Sequence, residues 1–251
     1  MNPLEIAVVT GASSGIGAAT ARILAANGYH VIAAARRIDR LHDLAKESSN
    51  IEAFELDVTD QSSVDAFARY LSSKPVSILI NNAGGAFDST SVMDSDPEIW
   101  RKSFEVNVIG SVRMVKAITP IMRTFGRGHI VLISSTAGYF TYENGGSYAA
   151  AKHAEVALAR TLRLELNGEP IRVTEIAPGM VKTEEFAKVR FGGDDTKAAK
   201  IYEGVAQPLV AEDIAEAIRW SVMLPQHFNV DTLILRPLAQ AAQHKVHRVL
   251  T

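Results

Sequence analysis

Apolar residues along this chain follow two rhythms that take turns. Short β-branched runs at 6–10, 29–35, 51–56, 76–80, 129–133, 171–176 and 230–235 have the length and composition of strands buried on both faces. Between them lie stretches of helical spacing or strong helix formers at 18–26, 40–47, 63–71, from 97 onward, from about 146, and at 212–224. After Pro97, the residues Trp100, Phe104, Val108, Val112, Val115 and Ile118 recur at helical intervals. That spacing predicts one continuous helix, disturbed at Pro120 and ended by 126–128. Asp96 is placed to cap it, Pro97 suits its first turn, and Glu98 complements its dipole.

Strand and helix in alternation predict an α/β architecture: a parallel sheet of about seven strands with helices on both faces. No repeat of solenoid period and no linker divides the chain. One doubly wound domain is therefore expected over 1–251, with its ligand crevice along the C-terminal ends of the strands. One segment resists the pattern. Residues 180–208 are charged and irregular and contain Arg190 and Gly192-Gly193-Asp194-Asp195. A loop that long inside a compact domain is usually functional, often a lid.

Composition narrows the classes. Of 251 residues, 47% are hydrophobic and 22% charged, the balance of a globular protein with a sizeable core. A net charge of −2 argues against binding to nucleic acid or an anionic membrane surface by bulk charge. With no cysteine there is neither a disulfide framework nor a thiolate metal site. The first residues lack the basic flank and apolar run of a signal peptide, and no apolar stretch has the length of a membrane span. A cytoplasmic protein is expected. His244 and His247 stand three apart without further ligands nearby, so no metal site is expected there.

The candidate chemistry starts at the first strand, which runs into Gly11-Ala12-Ser13-Ser14-Gly15-Ile16-Gly17 and then a helix-forming stretch. Strand, glycine loop and helix in that order fit a diphosphate held by amides at a helix N-terminus. Gly11 suits the tight turn, Gly15 a close backbone approach, and Gly17 close packing of helix on strand. The second strand ends in Arg36-Arg37, where an acidic residue would hold the adenosine ribose hydroxyls of NAD. Arginine there suits a 2′-phosphate, so NADP is favoured over NAD. The fourth strand ends in Asn81-Asn82-Ala83-Gly84-Gly85, short residues that fit the crevice. Asn107 lies inside the long helical stretch between Val106 and Val108. Ser134 and Ser135 follow the fifth strand. Tyr148 and Lys152 are four apart on the helix that begins near Gly146 and share one of its faces. A fixed ammonium favours a phenolate, which is what a tyrosine needs for acid-base work near neutral pH.

Taken together these residues resemble the short-chain dehydrogenase/reductase family, over essentially the whole chain. Thr10-Gly11 with Gly15-Ile16-Gly17 is similar to its cofactor loop, Asp57 to its adenine-contacting aspartate, and Asn81-Asn82-Ala83-Gly84 to its sheet-stabilising motif. Asn107, Ser135, Tyr148 and Lys152 match its catalytic tetrad in order and spacing. Ser135 is chosen over Ser134 because the family serine lies close to thirteen residues before the tyrosine, and 148 − 135 = 13. Neighbouring strand residues also point to opposite faces. Pro178-Gly179 matches the turn before the substrate loop. The resemblance implies a Rossmann-type domain whose cofactor-binding half spans about 1–130 and whose catalytic and substrate-loop part spans about 131–251. It implies cofactor contacts from Ser13, Ser14, Ile16, Arg36, Arg37, Asp57 and Val58. It also implies them from Asn82, Ala83, Gly84, Tyr148, Lys152, Pro178, Gly179, Val181 and Thr183.

Within the family, Glu185-Phe186-Ala187-Lys188-Val189-Arg190-Phe191, Gly193-Asp194-Asp195 and Asn229-Val230-Asp231-Thr232-Leu233 are most similar to NADP-dependent 3-hydroxy acid dehydrogenases. Those enzymes act on serine and 3-hydroxypropionate. Arg236-Pro237 with Gln240 also resembles clavulanate-type aldehyde reductases. The implied reaction is reversible hydride transfer between NADP and a small alcohol. Tyr148 would be its acid-base, Ser135 would hold the substrate oxygen, and Lys152 would hold the nicotinamide ribose. Asn107 would anchor a water, and Arg190 is the candidate cation for a substrate carboxylate. A broad aldehyde or ketone reductase is the alternative, with Phe87, Tyr139, Phe140 and Tyr142 as candidate pocket walls. A non-catalytic NADP sensor is the other, and the intact tetrad counts against it. The resemblance also implies a homotetramer, with the helices from Pro97 and Gly146 supplying one interface.

Overall fold

The computed structural model describes residues 4–249, and its elements follow the expected alternation closely. The first half runs β1 (Ile6–Thr10), α1 (Gly15–Ala26), β2 (His30–Ala35), α2 (Ile38–Lys46), β3 (Ile51–Glu55), α3 (Gln61–Leu71) and β4 (Val76–Asn81). Then come α4 (Pro97–Phe104), a π-helical turn at Glu105–Ile109, α5 (Gly110–Phe125), β5 (Gly128–Ile133) and a 3₁₀ turn at Thr136–Gly138. The chain continues with α6 (Gly146–Glu165), β6 (Ile171–Pro178), β7 (Val181–Lys182), α7 (Phe186–Arg190), α8 (Asp195–Lys200), β8 (Leu209–Val210) and α9 (Ala211–Val222). It ends in β9 (Thr232–Leu235), β10 (Gln240–Ala242) and β11 (Lys245–Val246).

Seven strands form one sheet in the order β3-β2-β1-β4-β5-β6-β9, every neighbouring pair parallel. The strand order reverses between β1 and β4, and there an open α/β sheet forms its ligand crevice. Two apolar layers fill the space between sheet and helices. One gathers Val8, Phe67, Leu79, Met114, Ile118 and Leu132; the other gathers Val9, Leu24, Leu41, Ile80, Ile214 and Ile218. Alternate residues of β1, Val8 and Val9, belong to opposite layers, which is why these strands read as unbroken apolar runs rather than alternating ones. Among the described residues no helix is long and apolar enough to cross a membrane.

The structure departs from the sequence pattern in several places, the first with a clear local cause. The helix after Pro97 is not continuous: Asp96 caps it through Glu98 N at 2.9 Å as expected, but it widens into the π turn around Asn107. There the Asn107 side-chain Nδ2 donates to Ser103 O at 2.8 Å, the carbonyl that the Asn107 backbone amide would take in an α-helix. Pro120, by contrast, is carried inside α5, which ends at Gly126 in the left-handed conformation (φ +84°). Residues 180–208 are not structureless: they hold α7, α8 and β7, whose Val181 and Lys182 pair with Leu209 and Val210 just beyond the segment. The tail folds into a hairpin, with Gln240 opposite Val246 and Ala242 opposite Lys245.

Candidate functional site

The turn after β1 sets the first edge of the site. Gly11 has φ +66°, a left-handed backbone that favours glycine. A Cβ on Gly17 would lie 2.4 Å from Gly11 O, so only glycine lets α1 start this close to the loop. Thr10 then joins the two strands that flank the switch point. Its Oγ1 donates to Ile80 O at 3.3 Å and accepts from Asn82 N and Ala83 N, both at 3.0 Å. Asn82 Nδ2 donates to Thr10 O at 2.9 Å, and Asn81 Nδ2 to Ser111 O at 3.0 Å. The crevice floor is therefore stitched together by side chains instead of ladder bonds.

A cavity of about 630 Å³ opens along these strand ends. Gly11, Ser13, Ser14, Gly15 and Ile16 line one end of it, with Arg36, Arg37, Asp57 and Val58 beside them. Ser14 makes no side-chain cap on α1; its Oγ donates instead to Glu185 Oε2 at 3.0 Å. Arg37 reaches Ser13 Oγ through Nε at 3.1 Å and through Nη2 at 2.8 Å, and forms a close ion pair with Glu185. Arg40 joins the same carboxylate at 2.6 Å. Burial would raise the Asp57 carboxyl, but the Thr59 hydroxyl and amide at 2.7 and 2.9 Å, with the charges of Arg36 and Arg113, together hold it below its ordinary value.

The other end gathers the tetrad residues. Asn107 is fully buried, and its side chain is fully engaged. Oδ1 accepts from Gly85 N at 3.0 Å, while Nδ2 donates to Gly85 O at 3.0 Å and to Ser103 O. The π turn thus locks the loop after β4. Both serines border the cavity, but Ser134 Oγ is committed to Glu175 Oε1 at 2.5 Å. Ser135 Oγ donates to Pro178 O at 3.3 Å and accepts from Ala137 N at 3.1 Å. Tyr148 is buried against Ala86 and Ala137, with the Phe186 ring packed edge-on at 5.6 Å. Lys152 Nζ lies 5.7 Å from the Tyr148 ring centroid, donates to Ile133 O at 2.9 Å, and pairs with Glu155 Oε2 at 2.5 Å. Burial, the largest single effect, pushes the Lys152 ammonium down, but the charge and hydrogen bond of Glu155 together with the charges of Tyr148 and Glu175 outweigh it, and the net direction is up.

The loop after β6 forms the roof. Pro178, Gly179, Val181 and Thr183 line the cavity, and Thr183 lies 3.5 Å from where a Gly15 side chain would begin. Arg190 also lines it. Its guanidinium lies over Tyr142 at 5.2 Å and Phe191 at 5.8 Å, and Nη2 donates to Asn144 O at 3.3 Å. Its buried Nε has no hydrogen-bond partner among the described residues. Of the aromatic residues proposed as walls, Phe87 and Tyr142 line the cavity. Tyr139 does not, because its hydroxyl reaches away to Glu175 Oε2 at 2.6 Å; Phe140 does not either, being half exposed under Arg236.

Several residues of the site were not assigned to it from the sequence. Glu185 meets Arg37 across 148 positions, and no local pattern announces that. Gln240 and Gln243 enter the cavity wall from the tail hairpin, where Gln240 Oε1 accepts from Met180 N at 2.8 Å and Gln243 Oε1 from Thr136 Oγ1 at 2.8 Å. Glu155 did leave a signal: it stands three residues after Lys152 on the buried face of α6.

Residues 5–192 match the family model for short chain dehydrogenase. An uncharacterized oxidoreductase of Mycobacterium tuberculosis is 50% identical over 238 residues, 95% of this chain and 93% of that protein. An NADP-dependent 3-hydroxy acid dehydrogenase of Escherichia coli is 38% identical over 247 residues, 97% of this chain and 99% of that protein. The fold superposes with a TM-score of 0.90 on the closed form of a serine dehydrogenase complexed with NADP+, 38% identical, covering 97% of this chain and all of the other.

Proposed function

The chain belongs to the short-chain dehydrogenase family, and we propose that it moves a hydride reversibly between NADP and a small 3-hydroxy acid of the serine or 3-hydroxypropionate kind. The observation that carries the substrate class is Arg190. It borders the cavity that also contains Tyr148, its Nε is buried without a partner, and aromatic rings lie against its guanidinium. The part of the guanidinium that borders the cavity would hold a substrate carboxylate by charge-assisted bonds.

The residues at the far end fit NADP. The glycine loop presents the start of α1, Thr183 closes over it, and Arg37 with Ser13 and Ser14 offers cationic and hydroxyl donors where a 2′-phosphate would lie. The likeness to NADP-dependent relatives points the same way. When bound, the nicotinamide supplies or accepts the hydride. The chain manages the rest. Tyr148 gives its phenolic proton to the substrate oxygen in reduction and takes it back in oxidation. Ser135, turning its hydroxyl away from Pro178 O, donates a hydrogen bond to that oxygen as charge develops on it. Lys152 holds positive charge beside the Tyr148 ring and would hold the ribose of a bound cofactor, and Asn107 keeps the loop after β4 in register.

A second reading, a broader aldehyde or ketone reductase, is supported by the aromatic side chains Phe87, Tyr142, Phe186 and Phe191 around the cavity. Purified protein assayed with NADP or NAD against serine, 3-hydroxypropionate, 3-hydroxyisobutyrate and neutral alcohols separates the two. NADP-dependent turnover confined to hydroxy acids is expected; equal turnover of neutral alcohols, with no inhibition by simple carboxylates, favours the second. A cytoplasmic homotetramer, with α4 and α6 in one interface, completes the proposal, and sedimentation reads the assembly.

A further inference from the structure

Beneath Tyr148 and Lys152 lies a cluster of charge that the tetrad roles leave unused. Lys152 Nζ and Glu155 Oε2 are 2.5 Å apart, and their side chains are only 6% and 1% exposed. This is not a surface pair one helical turn long. Both residues lie on the face of α6 that also buries Tyr148, Val156 and Ala159. Glu175, on β6, is the other charged group in the same neighbourhood, and its oxygens are already engaged by Ser134 Oγ at 2.5 Å and Tyr139 Oη at 2.6 Å. From α5 the facing group is the neutral Ser111 hydroxyl. Two carboxylates and one ammonium would leave this buried cluster with a net negative charge, which the protein interior penalises. Burial first, then Glu175, raises the Glu155 carboxyl to about 7 against the pull of Lys152.

We propose that Glu155 is a positioning residue: its buried carboxylate fixes the Lys152 ammonium and, by taking or releasing a proton, sets how much of that positive charge reaches Tyr148. The inference rests on the assignment of Tyr148 as acid-base. With Glu155 ionised, Lys152 is held and largely neutralised. With Glu155 protonated, Tyr148 meets the ammonium uncompensated, and its phenolate is favoured. Glu155→Gln should imitate the protonated form permanently.

The test has two arms. The pH profile of alcohol oxidation is measured for the native chain, Glu155→Gln and Glu155→Asp, with NADPH affinity as a control. The expected result is that the limb for proton abstraction moves at least one unit to lower pH in Glu155→Gln. Glu155→Asp should restore it in part, and NADPH affinity should stay within about threefold in both. A native profile in Glu155→Gln, or a loss of rate with no displacement of the limb, overturns the proposal. The second arm needs neither turnover nor a folded variant: the carboxyl ¹³C signals of glutamate in the full cofactor-free chain are followed with pH. One buried glutamate titrating near neutrality supports the inference even if no alcohol is oxidised, in which case it is the functional reading that fails. If every glutamate titrates in the ordinary carboxylate range, the inference is wrong whatever the enzyme does.

Discussion

The carboxylate of Glu185, just before α7, pairs with the guanidinium of Arg37 at the end of β2, and Arg40 and Ser14 hold the same carboxylate. Arg37 also donates to Ser13 and Ser14. A 2′-phosphate arriving here meets a resident anion. That carboxylate is held below its ordinary value, first by the bond from Arg37, and stays ionised at neutral pH. Glu185→Gln should therefore tighten NADP by a few-fold and leave NAD nearly unchanged. The half-exposed pair limits the gain to about 1 kcal/mol. Fluorescence titration with both cofactors checks it, and weaker NADP binding would make Glu185 a clamp over the cofactor instead of a rival to its phosphate.

Arg190→Gln should raise KM for a hydroxy acid roughly 10- to 100-fold, the loss expected of about 1.5–3 kcal/mol from a hydrogen bond to a charged group. Turnover of a neutral aldehyde should change little. Steady-state kinetics on the two substrate types read the difference, and an equal effect on both would mean that Arg190 serves only to stack on Tyr142 and Phe191.

Asn107→Ala removes three hydrogen bonds at once and leaves Gly85 N without its acceptor. A buried orphaned group costs about 1–3 kcal/mol, so denaturant midpoints should fall by that order, with kcat falling more than NADPH affinity. Unchanged stability would show that the π turn relaxes to α-helix without penalty.

Glu155 also gives stability a pH dependence of definite sign. Its folded carboxyl is raised to about 7, above its ordinary 4.5, so the folded chain binds the extra proton. Stability from this group is present below about pH 4.5 and is lost as pH rises towards 7. Glu155→Gln should remove that downward slope. Urea unfolding at several pH values between these limits tests it, and parallel curves for the two proteins would contradict the shift.

Much of this was legible because the fold is written in local rhythm. Val8 and Val9 face opposite apolar layers, so β1 had to read as an unbroken apolar run, and Asp96 announced the start of α4 by its own side chain. The π turn was hidden because Phe104, Val108 and Val112 keep helical spacing through it; only the competition of Asn107 Nδ2 for Ser103 O widens the helix. Arg36 and Arg37 could be read as phosphate ligands, yet the partner Arg37 takes in the fold, Glu185, lies in the loop whose sequence has no period. Gln243 sat in a tail with no strand signal, since two- and three-residue strands are held by the hairpin they form rather than by propensity.

The central claim is that Tyr148 carries the proton. Tyr148→Phe removes one hydroxyl from a buried ring while Phe186, Ala86 and Ala137 still pack against it. Steady-state rates with NADPH and a carbonyl substrate, paired with NADPH binding by fluorescence, are the direct measurement. A fall in kcat of roughly 10²–10⁴, the usual worth of a positioned acid or base, with NADPH affinity within about threefold, is the result predicted. A kcat near the native value would contradict it.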